Sequence, residues 1–588
     1  MKKLLSRLSP KARQEHNILW SESGELVRDG METSAWSRHP APQMKREDWC
    51  SLNGTWSLDG KPIQVPYPPQ SQLSGFQGEA GAQMTYEKSF TLPDTFQKPR
   101  VLLHFGAVDQ VAEVWLNDRL VGRHEGGYLP FVFDITEQVY RDGENRLRVQ
   151  VTDTLSPLYP YGKQREHRGG MWYTPVSGIW QSVWLENVPE VYVKNIKITP
   201  DLHGVDITIE GIEKSFDALV HLENGEMLKT HIDGCCGRIE LEGALLADGS
   251  TYTPLLWTPE RPHLYPVTIL AGEDRVESYF ALRTIAIEKR EGISRVCLNG
   301  QPVFLHGVLD QGYFCDGIYL PAREEEYELD ILRMKALGYN LLRKHIKVEP
   351  ACFYEACDRL GMLVMQDMVN NGSYRYIRDT VLPNIGFLKK RDDRADMDGA
   401  VQQMFIKHTM AAIEHLYHYP SIIAYTIFNE GWGQFHSDEL YRMVKKADPT
   451  RLADSTSGWF AQQENDFDSR HIYFKLVSLT PDEKPLFVTE CGGYTMSVPG
   501  HGYSKDKEYG YGACKDSSTL TARIEEMYRK MILPSIPAGV CGCIYTQLSD
   551  VEDEINGLYT YDRKVCKVEQ ETMVRVAEEM KRAVKLVR

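Results

Sequence analysis

From residue 46 to about 187 the chain alternates apolar and polar residues in short runs, as in "YEKSFTLP", "EVWLND" and "NRLRVQVTD". Alternation at period two turns one face of each run to a core and the other to water, and Gly, Asn-Asp and Asp-Gly turns separate the runs. The pattern predicts a β-sandwich over 46–187, preceded by an N-terminal extension, 1–45. A second β stretch, 188–284, contains "VYVKNIKITP", "GVDITIEG" and "DALVHLENGE". Its size predicts an immunoglobulin-like sandwich, without the Cys…Trp…Cys signature of antibody domains.

The period changes over 285–588. Eight short apolar runs follow: "PVFLHGV" (302–308), "YNLLRKH" (339–345), "MLVMQDM" (362–368), "IIAYTIFNE" (422–430), "RLADSTS" (451–457), "SRHIYF" (469–474), "PLFVTE" (485–490) and "GVCGCIYTQ" (539–547). Helical patterns such as "REEEYELDILRMKALG" and "PACFYEACDRLG" separate several of them. Eight strands alternating with helices predict a (β/α)8 barrel, whose functional residues sit at the carboxyl ends of the strands. Runs four and seven end on Asn429-Glu430 and on Glu490. Two apolar strands thus aim two carboxylates at one mouth.

Composition narrows the partners. The chain has 588 residues, 42% hydrophobic and 25% charged, which predicts a soluble protein of several domains. Its 67 basic against 82 acidic residues leave a net charge of −15, which disfavours nucleic acid and anionic membranes as partners. No apolar run approaches the roughly 20 residues of a membrane span. The opening "MKKLLSRLSPKARQEH" is basic but lacks the apolar core of a signal peptide, and the 12 cysteines are scattered, so a cytoplasmic location is expected. No nucleotide-binding glycine pattern or dense ligand cluster appears, so no cofactor and no metal are expected. The amphipathic "MVRVAEEMKRAVKLVR" at the C-terminus is expected to pack on the barrel.

With these elements in view, the chain resembles glycoside hydrolase family 2, the family of bacterial β-galactosidases and β-glucuronidases, over roughly residues 46 to 580. "GGYLPFVFDIT", "SGIWQSVWLE" and "NGQPVFLHGV" resemble its sandwich and barrel-entry motifs, and "NLLRKH", "RLGMLVMQD", "FNEGWGQF", "FVTECGG" and "SDVEDEINGLYTYDR" its barrel motifs. The resemblance implies a jelly-roll sandwich, an immunoglobulin-like sandwich and a barrel, in that order. It implies Glu430 as acid/base, preceded by Asn429, and Glu490 as nucleophile of a retaining exo-β-glycosidase. Tyr473 matches the tyrosine that contacts the nucleophile, Arg343 the arginine ending strand two, and Asp310 a sugar-hydroxyl contact ending strand one. A small glycoside or oligosaccharide is the implied partner, and a homo-oligomer the implied assembly.

Further candidates come with bland alternatives. Asp310 and Asp367 could each cap a helix, Trp432 could stack on a sugar or close its loop, and His345 could be a core histidine. The glycine-flexed loops "GGYLPF" and "HRGGMWY" could stack on sugar, but are expected to buttress the barrel. Two departures from relatives stand out. Strand eight reads "IYTQLSD", with Thr546 where many relatives carry tryptophan, so stacking is expected to pass to Tyr545 or a loop residue. The Asn-x-Lys element that reads the sugar carboxylate in glucuronidases is not evident, since Asn556 is followed two residues on by Leu558. Strand two, however, ends "RKHIK". With period-two alternation Arg343, His345 and Lys347 share the face toward the mouth while Lys344 points outward. That cluster favours a β-hexuronide, galacturonide foremost, as substrate. The alternatives are a neutral β-galactoside and a catalytically silent carbohydrate-binding protein.

Overall fold

The computed structural model describes residues 16–585, apart from 31–35, 376, 385–386, 388–390, 394–396, 474 and 505–507. A four-stranded sheet (Trp49–Ser51, Val183–Val188, Arg100–Phe105, Phe131–Asp134) faces a six-stranded sheet running from Lys61–Val65 to Arg119–Glu125. The inner faces bury Trp56, Tyr86, Leu103, Val114, Val149 and Leu185. The strand Asn145–Thr152 keeps its odd-numbered residues buried and its even-numbered ones exposed or half-buried, as the sequence alternation predicts. A second pair of antiparallel sheets follows, of three and four strands, closing on Ile198, Ile207, Val220, Val267 and Ile269.

The barrel strands are β1 (Leu305–Asp310), β2 (Leu341–Lys344), β3 (Leu363–Asp367), β4 (Ile422–Asn429), β5 (Leu452–Ser457), β6 (Asp468–Ile472), β7 (Leu486–Gly492) and β8 (Val540–Thr546). All seven pairings are parallel, in the order β5-β4-β3-β2-β1-β8-β7-β6. Every one of the eight predicted runs is a strand. Seven of the eight are buried along their whole length, because the barrel interior takes one face and the surrounding layer the other. The seam between β5 and β6 is bridged by side chains: Ser469 Oγ donates to Asp454 Oδ2 at 2.7 Å, and Ser457 Oγ meets His471 Nε2 at 2.9 Å.

Helices follow β1 to β4 (Glu325–Ala336, Ala351–Leu360, Gly399–Leu416, Ser437–Ala447), and Ser517–Met527 lies between β7 and β8. Among the described residues no helix joins β5 to β6 or β6 to β7. The C-terminal helix, Gln570–Lys585, buries Met573, Val576, Met580 and Val584 in the barrel's core cluster, as expected. No described helix is long and apolar enough to cross a membrane.

The sandwich is joined to the barrel through its loops. Tyr128 and Tyr173 are 1% and 0% exposed; their hydroxyls bond Tyr319 (2.8 Å) and Glu554. Trp172 stacks on Trp432 with ring centroids 5.3 Å apart. These aromatics therefore buttress the barrel.

Candidate active site

β4 ends at Asn429, and Glu430 follows in the left-handed backbone region, φ +53°. Its N–H donates to Ser457 O at 3.0 Å and its carbonyl accepts the Trp459 indole N–H at 3.0 Å. Such a conformation is costly for a residue with a side chain and is held only where surroundings over-determine it. Gly431 completes the turn at φ +74°, where an added Cβ would lie 2.3 Å from the Phe460 ring. Three strands away around the cylinder, past the unpaired β5–β6 edge, β7 carries Glu490. A register irregularity between Arg470 and His471 of β6 sets His471 opposite Glu490.

The two glutamates meet at that histidine. His471 Nδ1 lies 2.8 Å from Glu430 Oε1 and 3.5 Å from Glu490 Oε2, and the three groups have ligand-type atoms within 4.8 Å of one another. Arg343 Nη1 donates to Glu490 Oε1 at 3.1 Å, and the Tyr473 hydroxyl donates to Oε2. Burial alone would raise the Glu490 carboxyl, but the charges of His471 and Arg343 and the Tyr473 hydrogen bond bring it down to about 2. Burial raises Glu430, and the Glu490 charge adds to this, while the contact with His471 opposes it. One carboxyl is thus kept ionised and the other is pushed toward its protonated form.

Arg343 organises the floor. Its Nε donates to Asp367 Oδ1 (3.0 Å), its Nη1 also to Thr489 O (3.1 Å), and its Nη2 to Asn429 Oδ1 (2.8 Å). Asn429 therefore presents its amide N–H groups, not its oxygen, to whatever occupies the mouth. Asp367 also accepts from His345 Nδ1 at 2.7 Å. It is 1% exposed and supports Arg343 and His345; it is neither a helix cap nor a group aimed at the mouth.

The cationic reading of strand two needs correction. β2 stops at Lys344 and Ile346 takes φ +52°, so alternation does not continue to Lys347. Lys347 is 1% exposed and donates to Gly312 O (2.6 Å), Tyr319 O (2.7 Å) and both oxygens of Glu349 (2.9 Å). Lys344 does turn from the mouth, but into the layer behind the strand, where it meets Asp310 Oδ2 (2.6 Å) and Glu349 Oε1 (2.8 Å). Asp310 is engaged there and by the Gly312 N–H (2.9 Å), instead of reaching toward the glutamates. His345 is brought down to about 4, by burial first and then by the charge of Lys163, so it is neutral near neutrality and offers no cation.

Two aromatic expectations also change. Trp432 is 2% exposed between Trp172 and Tyr374, so it closes its loop and leaves no face for a sugar. Tyr545 is fully buried and packs away from the mouth; the neighbouring Thr546 faces it, with Oγ1 3.2 Å from the Tyr473 hydroxyl. His471 was missed by the sequence reading, although it shares the parity of Tyr473 on one strand. Lys163, a loop residue of the sandwich whose charge is felt at Glu430 and His345, carried no signal in sequence. Among the described residues Glu430, His471 and Glu490 are also the cluster with metal-ligand spacing.

Comparison with known proteins agrees with this architecture. The sequence model of the "Glycosyl hydrolases family 2, sugar binding domain" matches residues 33–189, and that of the "Glycosyl hydrolases family 2, TIM barrel domain" matches residues 289–483. A β-galactosidase of Thermoanaerobacter pseudethanolicus is 28% identical over 297 residues, 48% of this chain and 39% of that protein. A β-galactosidase of Klebsiella pneumoniae is 26% identical over 535 residues, 81% of this chain and 48% of that protein. The chain thus spans less than half the length of these curated relatives. Among solved structures, the β-D-glucuronidase of Dictyoglomus thermophilum superposes with TM-score 0.70 at 19% identity, covering 92% of this chain and 98% of that one. A Ruminococcus gnavus β-glucuronidase in complex with uronic isofagomine gives 0.73 at 18% identity, covering 92% and 100%.

Proposed function

The chain belongs to glycoside hydrolase family 2, and we propose that it is a retaining exo-β-glycosidase with Glu490 as nucleophile and Glu430 as acid/base. The observation that carries this reading is the separation of the pair, whose nearest oxygens lie within 4.8 Å. Retaining enzymes hold their carboxyl groups about 5–5.5 Å apart, and inverting ones about 6.5–9.5 Å, to admit a water. Ionised Glu490 attacks the anomeric carbon while Glu430 gives its proton to the departing oxygen. Glu430 then takes a proton from water, which attacks the same carbon and frees Glu490. The amide N–H of Asn429 is suited to the sugar 2-hydroxyl, a contact that strengthens in the transition state.

The test is chemical rescue. Glu430→Ala with azide and an aryl β-glycoside bearing a good leaving group is expected to yield the β-glycosyl azide, by attack on the glycosyl-enzyme. An α-azide would sink the assignment. For the terminal sugar we favour a β-hexuronide, galacturonide first; the second reading, a neutral β-galactoside, draws on the relatives that bear that name. A cytoplasmic setting fits the twelve free thiols.

A further inference from the structure

With the cations of strand two engaged elsewhere, a different group is left to meet a charged sugar. Lys163 lies in the sandwich loop between Asn145–Thr152 and Gly178–Ile179 and is only 8% exposed. Among the described residues no carboxylate and no hydrogen-bond acceptor reaches its ammonium. Its Nζ rests instead over two rings, 5.6 Å from the centroid of Trp432 and 5.8 Å from that of Tyr173. Aromatic faces attract a cation, but weakly beside the cost of taking an ammonium out of water. Buried lysines are ordinarily paired, as Lys344 and Lys347 are here.

The loop holds this lysine in place. Tyr173 N donates to Lys163 O (3.0 Å), Tyr161 N to Asn370 O (3.0 Å), and Tyr161 OH to Gly372 O (2.8 Å), so both loop arms are tied down. Gly162, at φ +65°, passes so close to the barrel that a Cβ would lie 3.0 Å from Ile346 O. The rings under the ammonium are fixed too. Trp432 N donates to Asn429 O (2.9 Å) within the turn that carries Glu430, and its indole N–H has no acceptor. Glu554, at the hydroxyl end of Tyr173, is engaged by that hydroxyl and by the Asn556 amide (2.9 Å). The ammonium therefore lies over the ring of Trp432, two residues past Glu430, close enough for its charge to act on that carboxyl, and no carboxylate of the described residues pairs with it.

We propose that Lys163 binds the carboxylate of the terminal sugar, so that the sandwich loop, and not a barrel strand, selects a β-hexuronide over a neutral hexoside. This rests on the glycosidase reading for turnover, but not for binding, and the two can be tested apart. The probes are D-galacturonate, D-glucuronate and D-galactose, titrated calorimetrically into the full-length wild type and into Lys163→Met and Lys163→Arg. Matched 4-nitrophenyl β-glycosides of the three sugars supply kcat/KM.

A charge-assisted hydrogen bond corresponds to about 10- to 100-fold. The uronate-over-galactose preference, in binding and in kcat/KM, should fall by that factor in Lys163→Met and return in part in Lys163→Arg. Esterifying the sugar carboxylate should produce the same loss with the wild-type protein, which keeps the test decisive if the methionine variant does not fold. Equal losses on charged and neutral sugars, or a wild type that prefers galactose, would overturn the proposal while leaving the hydrolase intact. A Lys163-dependent uronate preference in a protein that cleaves none of the aryl glycosides would retain Lys163 and remove the glycosidase reading.

Discussion

Arg343 and Lys344 are neighbours on β2 and both are wholly buried, yet they serve two different charge clusters. Behind the strand, Lys344 and Lys347 face Asp310 and Glu349, cation against anion, with the Gly312 and Tyr319 carbonyls accepting further hydrogen bonds from Lys347. On the barrel side, Arg343 serves a group in which two carboxylates, Glu430 and Glu490, converge on one imidazole. The rear cluster balances its charges internally and has no need of a ligand. The front one forces like charges together and drives the two carboxyls in opposite directions. Buried charge alone therefore does not mark a site here; unresolved like charge does.

The sharpest way to break this contrast is to remove one member of each cluster. Glu490→Gln should lower kcat by about 10^4- to 10^6-fold, as loss of the proposed covalent nucleophile does, with the thermal midpoint little changed, because Arg343 keeps Asp367 as partner and the repulsion with Glu430 is relieved. Lys347→Met should do the reverse. Taking away one partner of a buried ion pair costs about 3–5 kcal/mol because the other is left uncompensated. A lowered thermal midpoint with kcat/KM of the folded fraction within about threefold is the expected outcome. If Lys347→Met instead lost uronide turnover while keeping its stability, the rear cluster would belong to the binding site after all.

That pair of variants also locates what the sequence could and could not say. The eight strands were legible because each is a short apolar run bounded by turn or helix signals, and both glutamates followed from the ends of runs four and seven. The fate of "RKHIK" was not legible, because period-two reasoning holds only while the backbone stays extended. It fails at Ile346, whose φ of +52° swings Lys347 behind the strand. Tyr545 against Thr546 was decided by the same parity, taken one residue off. Lys163 belongs to a sandwich loop, and only the docking of Tyr161 and Trp172 on the barrel brings it over Trp432, in the turn that carries Glu430.

A smaller effect tests the opposed protonation of the front pair. The proposed mechanism needs Glu490 ionised and Glu430 protonated. Because Glu490 is held at about 2, the acid limb of kcat/KM should lie below the ordinary glutamate range. Because Glu430 is raised, by burial first, the alkaline limb should lie above that range, where activity falls as its proton is lost. Both limbs belong to the coupled pair. On an activated aryl glycoside, whose leaving group needs no proton, Glu430→Ala should abolish the alkaline limb. A limb that persists would assign the proton to another group, and His471 touches both carboxylates.

The smallest expected effect concerns Thr546, at the end of β8 where a large aromatic was anticipated. Its Oγ1 lies 3.2 Å from the hydroxyl of Tyr473, which in turn donates to Glu490. The threonine acts on the proposed nucleophile only at one remove, by orienting a hydroxyl that helps keep Glu490 ionised. Thr546→Val preserves the shape and deletes the hydroxyl. A single neutral hydrogen bond contributes about 0.5–1.5 kcal/mol, so kcat should fall by about 2- to 10-fold. The acid limb should rise slightly as the tyrosine's hold on Glu490 loosens, and Thr546→Ser should restore both values. A loss beyond about 100-fold would exceed one neutral hydrogen bond. It would mean that Thr546 touches the sugar itself, and that the mouth extends along β8 beyond the group gathered around Arg343.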